Sequence, residues 1–258
     1  MRLLVTNDDG IESVFLHELV RALLAAGHEP HVVAPKAEQS WIGAAKSRLR
    51  PVHSRRFECG LGCPTWTVDG TPCDCVNIAI DHLLPCRPEA VLSGINMGLN
   101  ASLGFILGSG TVAGACEGAL HGLPGIALSQ SLTIPAYERL KLAGGEPEPE
   151  LRAVLRMSAA HAARIAPALA AETPAQSFIV HNVNFPYPCG ADAQVRRTVP
   201  ARVMIPGLFS PQAEDGTHRL VFNLGEDLSP EGLLTDRAAL DAGFISHTVL
   251  DFSKLGSI

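Results

Sequence analysis

Asp8 and Asp9 stand side by side in "LLVTNDDGI", residues 3–11, where an apolar run stops at an amide, two carboxylates and a glycine. Buried strands do not end in bare charges without a cause. Adjacent side chains of a straight strand point to opposite faces, so both carboxylates can serve one centre only where the chain bends. Gly10 permits that bend. Two neighbouring carboxylates repel, and one then tends to stay protonated. A divalent cation removes the conflict. Hard oxygen donors from Asp8, Asp9, the Ser40 hydroxyl and the Asn96 amide would suit Mg²⁺ or Mn²⁺. The plainer explanation, that the pair caps a helix starting near Ile11, accounts for one Asp well and for two poorly.

A second group lies in "GSGTVAGACEG", residues 108–118. Gly108, Ser109, Gly110 and Thr111 form a small, hydroxyl-bearing turn where a helix should begin. Free N–H groups and the helix dipole favour an anion there. The turn lacks the lysine of a Walker A loop, so it is no nucleotide site of that kind. Alone it reads as ordinary capping. Beside a cation cluster it points to phosphate-ester chemistry. Further along the same helix, Glu117 either reaches the site or faces solvent, His121 reads as a C-terminal cap, and Ala113, Gly114 and Gly118 read as a close-packing face.

The elements that must position these groups follow from periodicity. Residues 2–6 read as a buried strand, and Phe15, Leu16, Leu19, Val20, Leu23 and Leu24 recur at helical spacing up to Gly27. "HVVAP" is the next strand, so the chain opens with a βαβ unit and a parallel sheet. Residues 51–68 suggest a hairpin. Thr71 and Pro72 read as N-cap and first residue of a helix. "EAVLSGIN", "PGIALSQ", "SFIVHNVNFP" and "GFISHTVLDF" read as strands, and residues 151–171 as an Ala-rich helix strained by Pro167. Residues 141–150 read as a surface linker. The periodicity weakens over 188–241, where Asp215-Gly216 marks a hairpin turn. The expected fold is α/β, with a mostly parallel sheet flanked by helices. A single domain would span 1–258, with 188–241 as a β-rich arm for oligomerisation.

In an open parallel sheet, ligands bind beyond the carboxyl ends of the strands. If the relevant strands are neighbours, Asp8 and Asp9, Ser40 and Asn96 would converge from distant parts of the chain.

Composition narrows the function classes. A net charge of −6 gives no electrostatic case for a nucleic acid polymer as partner. No apolar run reaches transmembrane length, so no membrane partner is expected. The start of the sequence runs straight into a strand without a secretory pattern, which suggests a cytoplasmic protein. Seven cysteines without an export pattern argue against a disulfide framework. Those between Cys59 and Cys75 lack a CxxC pair and a following histidine at finger spacing, so they read as ordinary thiols rather than a zinc site.

Together the stretches "TNDDGI", "VVAP…S", "GTPCDC", "SGINMGLN", "SGTVAGACEG", "NVNFP" and "GFISHT" resemble the SurE family, the survival-protein 5′-nucleotidases. They run in the family's order through nearly the whole chain. The resemblance implies a Rossmann-like domain with a hairpin arm, assembled as a homodimer or homotetramer. It implies a phosphatase that needs one divalent cation and acts on nucleoside monophosphates, 5′ and sometimes 3′, with tolerance for other phosphate esters. Asp8 and Asp9 match the metal carboxylates, Ser40 and Asn96 the remaining metal ligands. Asn100, Ser109, Gly110 and Thr111 match the phosphate-binding positions. The sequence departs from the family in "WIGAAKS" after Ser40 and in "ASLGFILG" before Ser109, where Gly108 replaces a common Tyr or His. Trp41 and Phe105 make that rim more apolar, and the C-terminal helix of many members is shortened or absent.

The expected reaction is hydrolysis of a phosphomonoester, by attack of water or, alternatively, of Asp8 or Asp9 itself. Adjacent carboxylates differ from the DxD spacing of phosphatases that form an acylphosphate, which favours water. The rival expectation is a non-catalytic nucleotide or metal binder of the same family, motivated by the altered rim.

Overall fold

The computed structural model describes residues 1–256. In chain order the elements are β1 (Arg2–Thr6), α1 (Val14–Ala25), β2 (Glu29–Pro35), β3 (Ser54–Arg56), β4 (Thr65–Val68), α2 (Pro72–Ile78), β5 (Ala90–Met97), α3 (Leu103–Gly108), α4 (Gly110–Leu120), β6 (Gly125–Gln130), α5 (Ile134–Leu142), α6 (Pro149–Glu172), β7 (Ile179–Phe185), β8 (Val195–Thr198), β9 (Val203–Met204), β10 (Glu226–Asp227), α7 (Asp236–Asp241) and β11 (Ile245–Asp251). A π-helical turn, Ala79–Leu83, extends α2.

Nine strands form one sheet in the order β3-β4-β2-β1-β5-β6-β7-β11-β8. The pairs β3–β4 and β7–β11 are antiparallel and the others parallel. Alternation along β1 explains the three layers. Leu3 and Val5 face one side and pack with α1 and α6, whereas Leu4 faces the other and packs with α2. Helix α4 covers the neighbouring part of that second face through Val112, Ala115 and Ala119. The chain leaves β1 toward β2 on one side and later returns to β5 on the other. The sheet order therefore reverses between β1 and β5, which opens a crevice at their carboxyl ends.

Local signals place the helices. Thr71 accepts from the Asp74 N–H while the Asp74 carboxylate accepts from the Thr71 N–H, a reciprocal capping box on α2. Ser109 caps α4 by accepting from the Val112 N–H, and His121 is its C-cap. Residues 51–68 do contain a hairpin.

Several expectations are corrected. The stretch before Ser109 forms α3, and the 141–150 linker is shorter than expected because α5 runs to Leu142 and α6 starts at Pro149; α3 and α5 are both short and weakly patterned. The 188–241 stretch is only partly an arm, because β8 joins the main sheet beside β11 and α7 packs against β11. The Asp215-Gly216 turn is present, closed by Ala213 and Thr217, and its sides meet at the Phe209–Leu220 bridge. Among the described residues, no helix is long and apolar enough to cross a membrane.

A buried histidine pair links the sheet to the end of α6. The Thr173 hydroxyl donates to Leu169 O at 2.6 Å, so its oxygen accepts from His181 Nε2–H at 2.7 Å. His181 Nδ1 is then the acceptor for His247 Nε2–H at 2.8 Å. Both rings are neutral, and burial lowers each to about 4. Between about 6.5 and 4 the unfolded chain binds more protons than the native one, so this contribution is complete above pH 6.5 and is lost as pH falls toward 4. The wild type should lose roughly 3 kcal/mol for each ring across that window relative to a His181→Leu/His247→Leu double variant. Urea unfolding at pH 7 and pH 4.5 checks this; parallel pH curves for the two proteins would refute it.

Candidate active site

Gly10 turns the chain at the tip of β1 with φ +98°, and the Asn7 side-chain amide donates to Gly10 O at 2.9 Å. This tight loop sends the two carboxylates in different directions, as the bend requires. Asp8 points to the start of α4, where its Oδ1 accepts from the Thr111 hydroxyl at 2.5 Å. Asp9 points to β5, where its Oδ2 accepts from the Met97 N–H at 2.8 Å. The turn is buttressed from the β2 side by the Gln39 N–H, which donates to Asp8 O at 2.7 Å.

Asp8 is buried and Asp9 half-buried. Among the described residues neither carboxylate forms an ion pair with a Lys or Arg. Burial pushes Asp8 up to about 6, although the Thr111 hydroxyl and nearby backbone N–H groups favour its charged form. Burial, and then the neighbouring Asp8, drives Asp9 well above the usual carboxylate range. Glu38 adds a third negative charge that raises both. Sequence reasoning missed Glu38; its position two residues before Ser40 was the available signal. Such an uncompensated acidic group is what a cation would neutralise.

The remaining candidates fall around this centre. Ser40 follows β2 on an exposed loop, and its hydroxyl donates to Glu38 Oε1 at 2.6 Å. Asn96 lies near the end of β5, next to Met97, and its amide nitrogen donates to Gly98 O at 2.8 Å. Two carboxylates, a hydroxyl and an amide oxygen make a hard donor set that fits Mg²⁺ or Mn²⁺. Among the described residues no three His, Cys, Asp or Glu side chains are grouped to hold a metal ion. A cation here would therefore draw on the hydroxyl and the amide as well.

The α4 turn is tight. A Cβ on Gly110 would stand 2.9 Å from Asp8 Cβ and 3.0 Å from its Oδ2. The hydroxyls of Ser109 and Thr111 are already engaged, one as helix cap and one on Asp8. What remains for an anion is the backbone, since the Gly110 N–H at the first helical position has no intrahelical acceptor. Asn100 is buried in a network rather than open to the site. Its N–H donates to Asn184 Oδ1 at 2.8 Å and its side-chain amide to Ser129 Oγ at 2.9 Å. Glu117 neither reaches the carboxylates nor faces solvent: it is buried, accepts from Asn77 Nδ2 and pairs with Lys46.

The model of a family described as survival protein SurE matches residues 3–204. A protein of Synechococcus elongatus named 5′-nucleotidase SurE is 46% identical over 132 residues, 50% of each chain. One of the same name from Methylocella silvestris is 41% identical over 200 residues, 75% of this chain and 69% of that one. The match spans about half the length of the first of these relatives. Among solved structures, the SurE protein from Aquifex aeolicus superimposes with a TM-score of 0.73 at 26% identity, over 100% of this chain and 98% of that one.

Proposed function

The chain belongs to the survival protein SurE family, and from that premise we propose that it is a cytoplasmic phosphomonoesterase that hydrolyses nucleoside monophosphates with the help of one divalent cation. The observation that carries the reading is the uncompensated carboxylate pair facing a helix N-terminus across the crevice between β1 and β5. A cation needs the first and a phosphoryl group the second.

In this reading Asp8, Asp9, Ser40 and Asn96 hold Mg²⁺ or Mn²⁺. When bound, the cation supplies positive charge for the phosphoryl oxygens and lowers the pKa of a water molecule. The chain's own groups do the rest. Thr111 fixes Asp8 from one side and Met97 fixes Asp9 from the other. The Gly110 N–H, with the α4 dipole, meets the negative charge that grows on the phosphoryl oxygens. Ser109 keeps that helix start in shape. Asn100 ties the loop before α3 to β6 and β7, so its part in phosphate binding is to position the loop. Water adds to phosphorus, the ester P–O bond breaks, and the nucleoside leaves as an alcohol with the proton that balances it. The relatives' name supports the 5′ ester; 3′ esters and other phosphate esters extend the substrate range.

Phosphate release from a panel of 5′- and 3′-nucleoside monophosphates and aliphatic phosphates, with Mg²⁺, Mn²⁺ or EDTA, tests the reading. Release that requires the cation supports it. Nucleotide binding without release from any ester would instead identify a non-catalytic binder.

The same proposal includes self-association. Met204, Phe209, Leu220 and Leu228 are exposed on the arm, which has little core of its own. A homodimer through the arm, with a homotetramer as the larger assembly, would cover them. Sedimentation at micromolar concentration should show at least a dimer, and Phe209→Glu with Leu228→Glu should weaken it. A monomeric wild type would refute the assembly.

A further inference from the structure

Three aromatic rings from three parts of the chain meet beside the proposed phosphate site. Trp41, directly after Ser40, has φ +60°, a conformation that bulky side chains rarely adopt. Its ring lies over Gly108: a Cβ there would stand 3.2 Å from Trp41 Cε3. Glycine at 108 and tryptophan at 41 are thus complementary, the ring taking the space that a side chain at 108 would fill. The Gly43 N–H donates to Gly108 O at 3.0 Å and fastens this loop to α3.

Trp41 packs on Phe105 with ring centres 5.4 Å apart, and Phe105 meets the arm residue Phe222 edge-on at 5.9 Å. Phe105 is buried, whereas Trp41 and Phe222 are 39% and 57% exposed. Arg237 ties the arm to the same ring: its guanidinium lies 5.1 Å from the Phe105 centre and donates to Leu224 O at 3.0 Å. The result is an aromatic floor with two accessible rings, one on each side.

We propose that Trp41 and Phe222 form the subsite for the flat aromatic part of the leaving group, so the arm is a specificity element of the site as well as a contact for a second copy. This rests on the phosphomonoesterase reading. Apolar ring faces stack on any base, so the subsite favours nucleotides over aliphatic phosphates, larger purines over pyrimidines, and discriminates weakly within each class. Stacking holds bound substrate and transition state alike, so it acts on KM more than on kcat.

Two measurements on the full chain test this. First, adenosine, which carries no phosphate, should quench tryptophan fluorescence saturably in the wild type and not in Trp41→Phe; the buried Trp66 is common to both. Second, Trp41→Ala and Phe222→Ala should each raise KM for adenosine monophosphate by roughly tenfold, with kcat and the KM for glycerol phosphate little changed. Phe222→Tyr and Trp41→Phe should restore KM. No adenosine quenching, an equal loss on both substrates, or a change in sedimentation for Phe222→Ala with an unaltered KM ratio would overturn the subsite. Absence of phosphate release from every ester would strike the phosphomonoesterase reading instead, since quenching requires no turnover.

Discussion

Asp8→Asn and Asp9→Asn should each lower phosphate release by at least about a hundredfold, the scale on which the loss of even an outer partner of a metal ligand is felt. Both should also leave the metal-free protein more stable than the wild type. Asparagine keeps an acceptor for the Thr111 hydroxyl or the Met97 N–H, so the local geometry survives. It removes a charge that burial opposes. The Asp8 carboxyl is raised to about 6 in the fold. The native protein then binds more protons than the unfolded chain between about pH 4 and pH 6, and metal-free stability falls as pH rises through that window. The difference between Asp8→Asn and wild type should be absent near pH 3.5 and reach roughly 3 kcal/mol by pH 7. Added Mn²⁺ should reverse the order, because a ligand that binds only the native state stabilises the wild type. Melting curves at both pH values, with and without Mn²⁺, check this. An undiminished Mn²⁺-induced shift in both variants would sink the metal assignment even if activity were lost.

Gly110→Ala should cost activity on a similar scale without a matching cost in stability. Alanine is the better helix former, by about 1 kcal/mol in a helix interior. The added methyl would nevertheless meet Asp8 Cβ at 2.9 Å, Asp8 Oδ2 at 3.0 Å and Gln39 O at 3.3 Å. Either Asp8 or the start of α4 must yield, and both belong to the proposed reacting constellation. A displacement of about 1 Å in such a site is worth about 10²-fold in rate. We expect turnover to fall by about that factor, Mn²⁺ affinity by calorimetry to fall with it, and the melting temperature to move by only a few degrees. Wild-type turnover and affinity in Gly110→Ala would show that this close approach does not matter to catalysis.

The sequence alone determined those features whose causes lie a few residues apart. The βαβ opening, the strand ending in Asn7-Asp8-Asp9-Gly10, the Thr71–Pro72 helix start and the Ser109 cap are each written in periodicity or capping chemistry. The motif order also made the family legible before any coordinates. Where local pattern was thin it failed: α3 and α5 are too short to show a full apolar face. Tertiary structure decided the rest. The Asp9–Met97 hydrogen bond joins residues 88 apart, and the Thr111–Asp8 bond joins residues 103 apart. Both exist because β5 pairs with β1 and α4 packs over that junction, an order selected by burying whole sheet faces. The same packing turned Thr111 from a free hydroxyl into a partner of Asp8, drew Glu117 to Lys46 and brought Glu38 to the carboxylates. It also set Phe222 of the arm against Phe105. Spacing along the chain carries no record of such contacts, because each depends on which faces are covered and in what order, a property of the whole chain rather than of any segment.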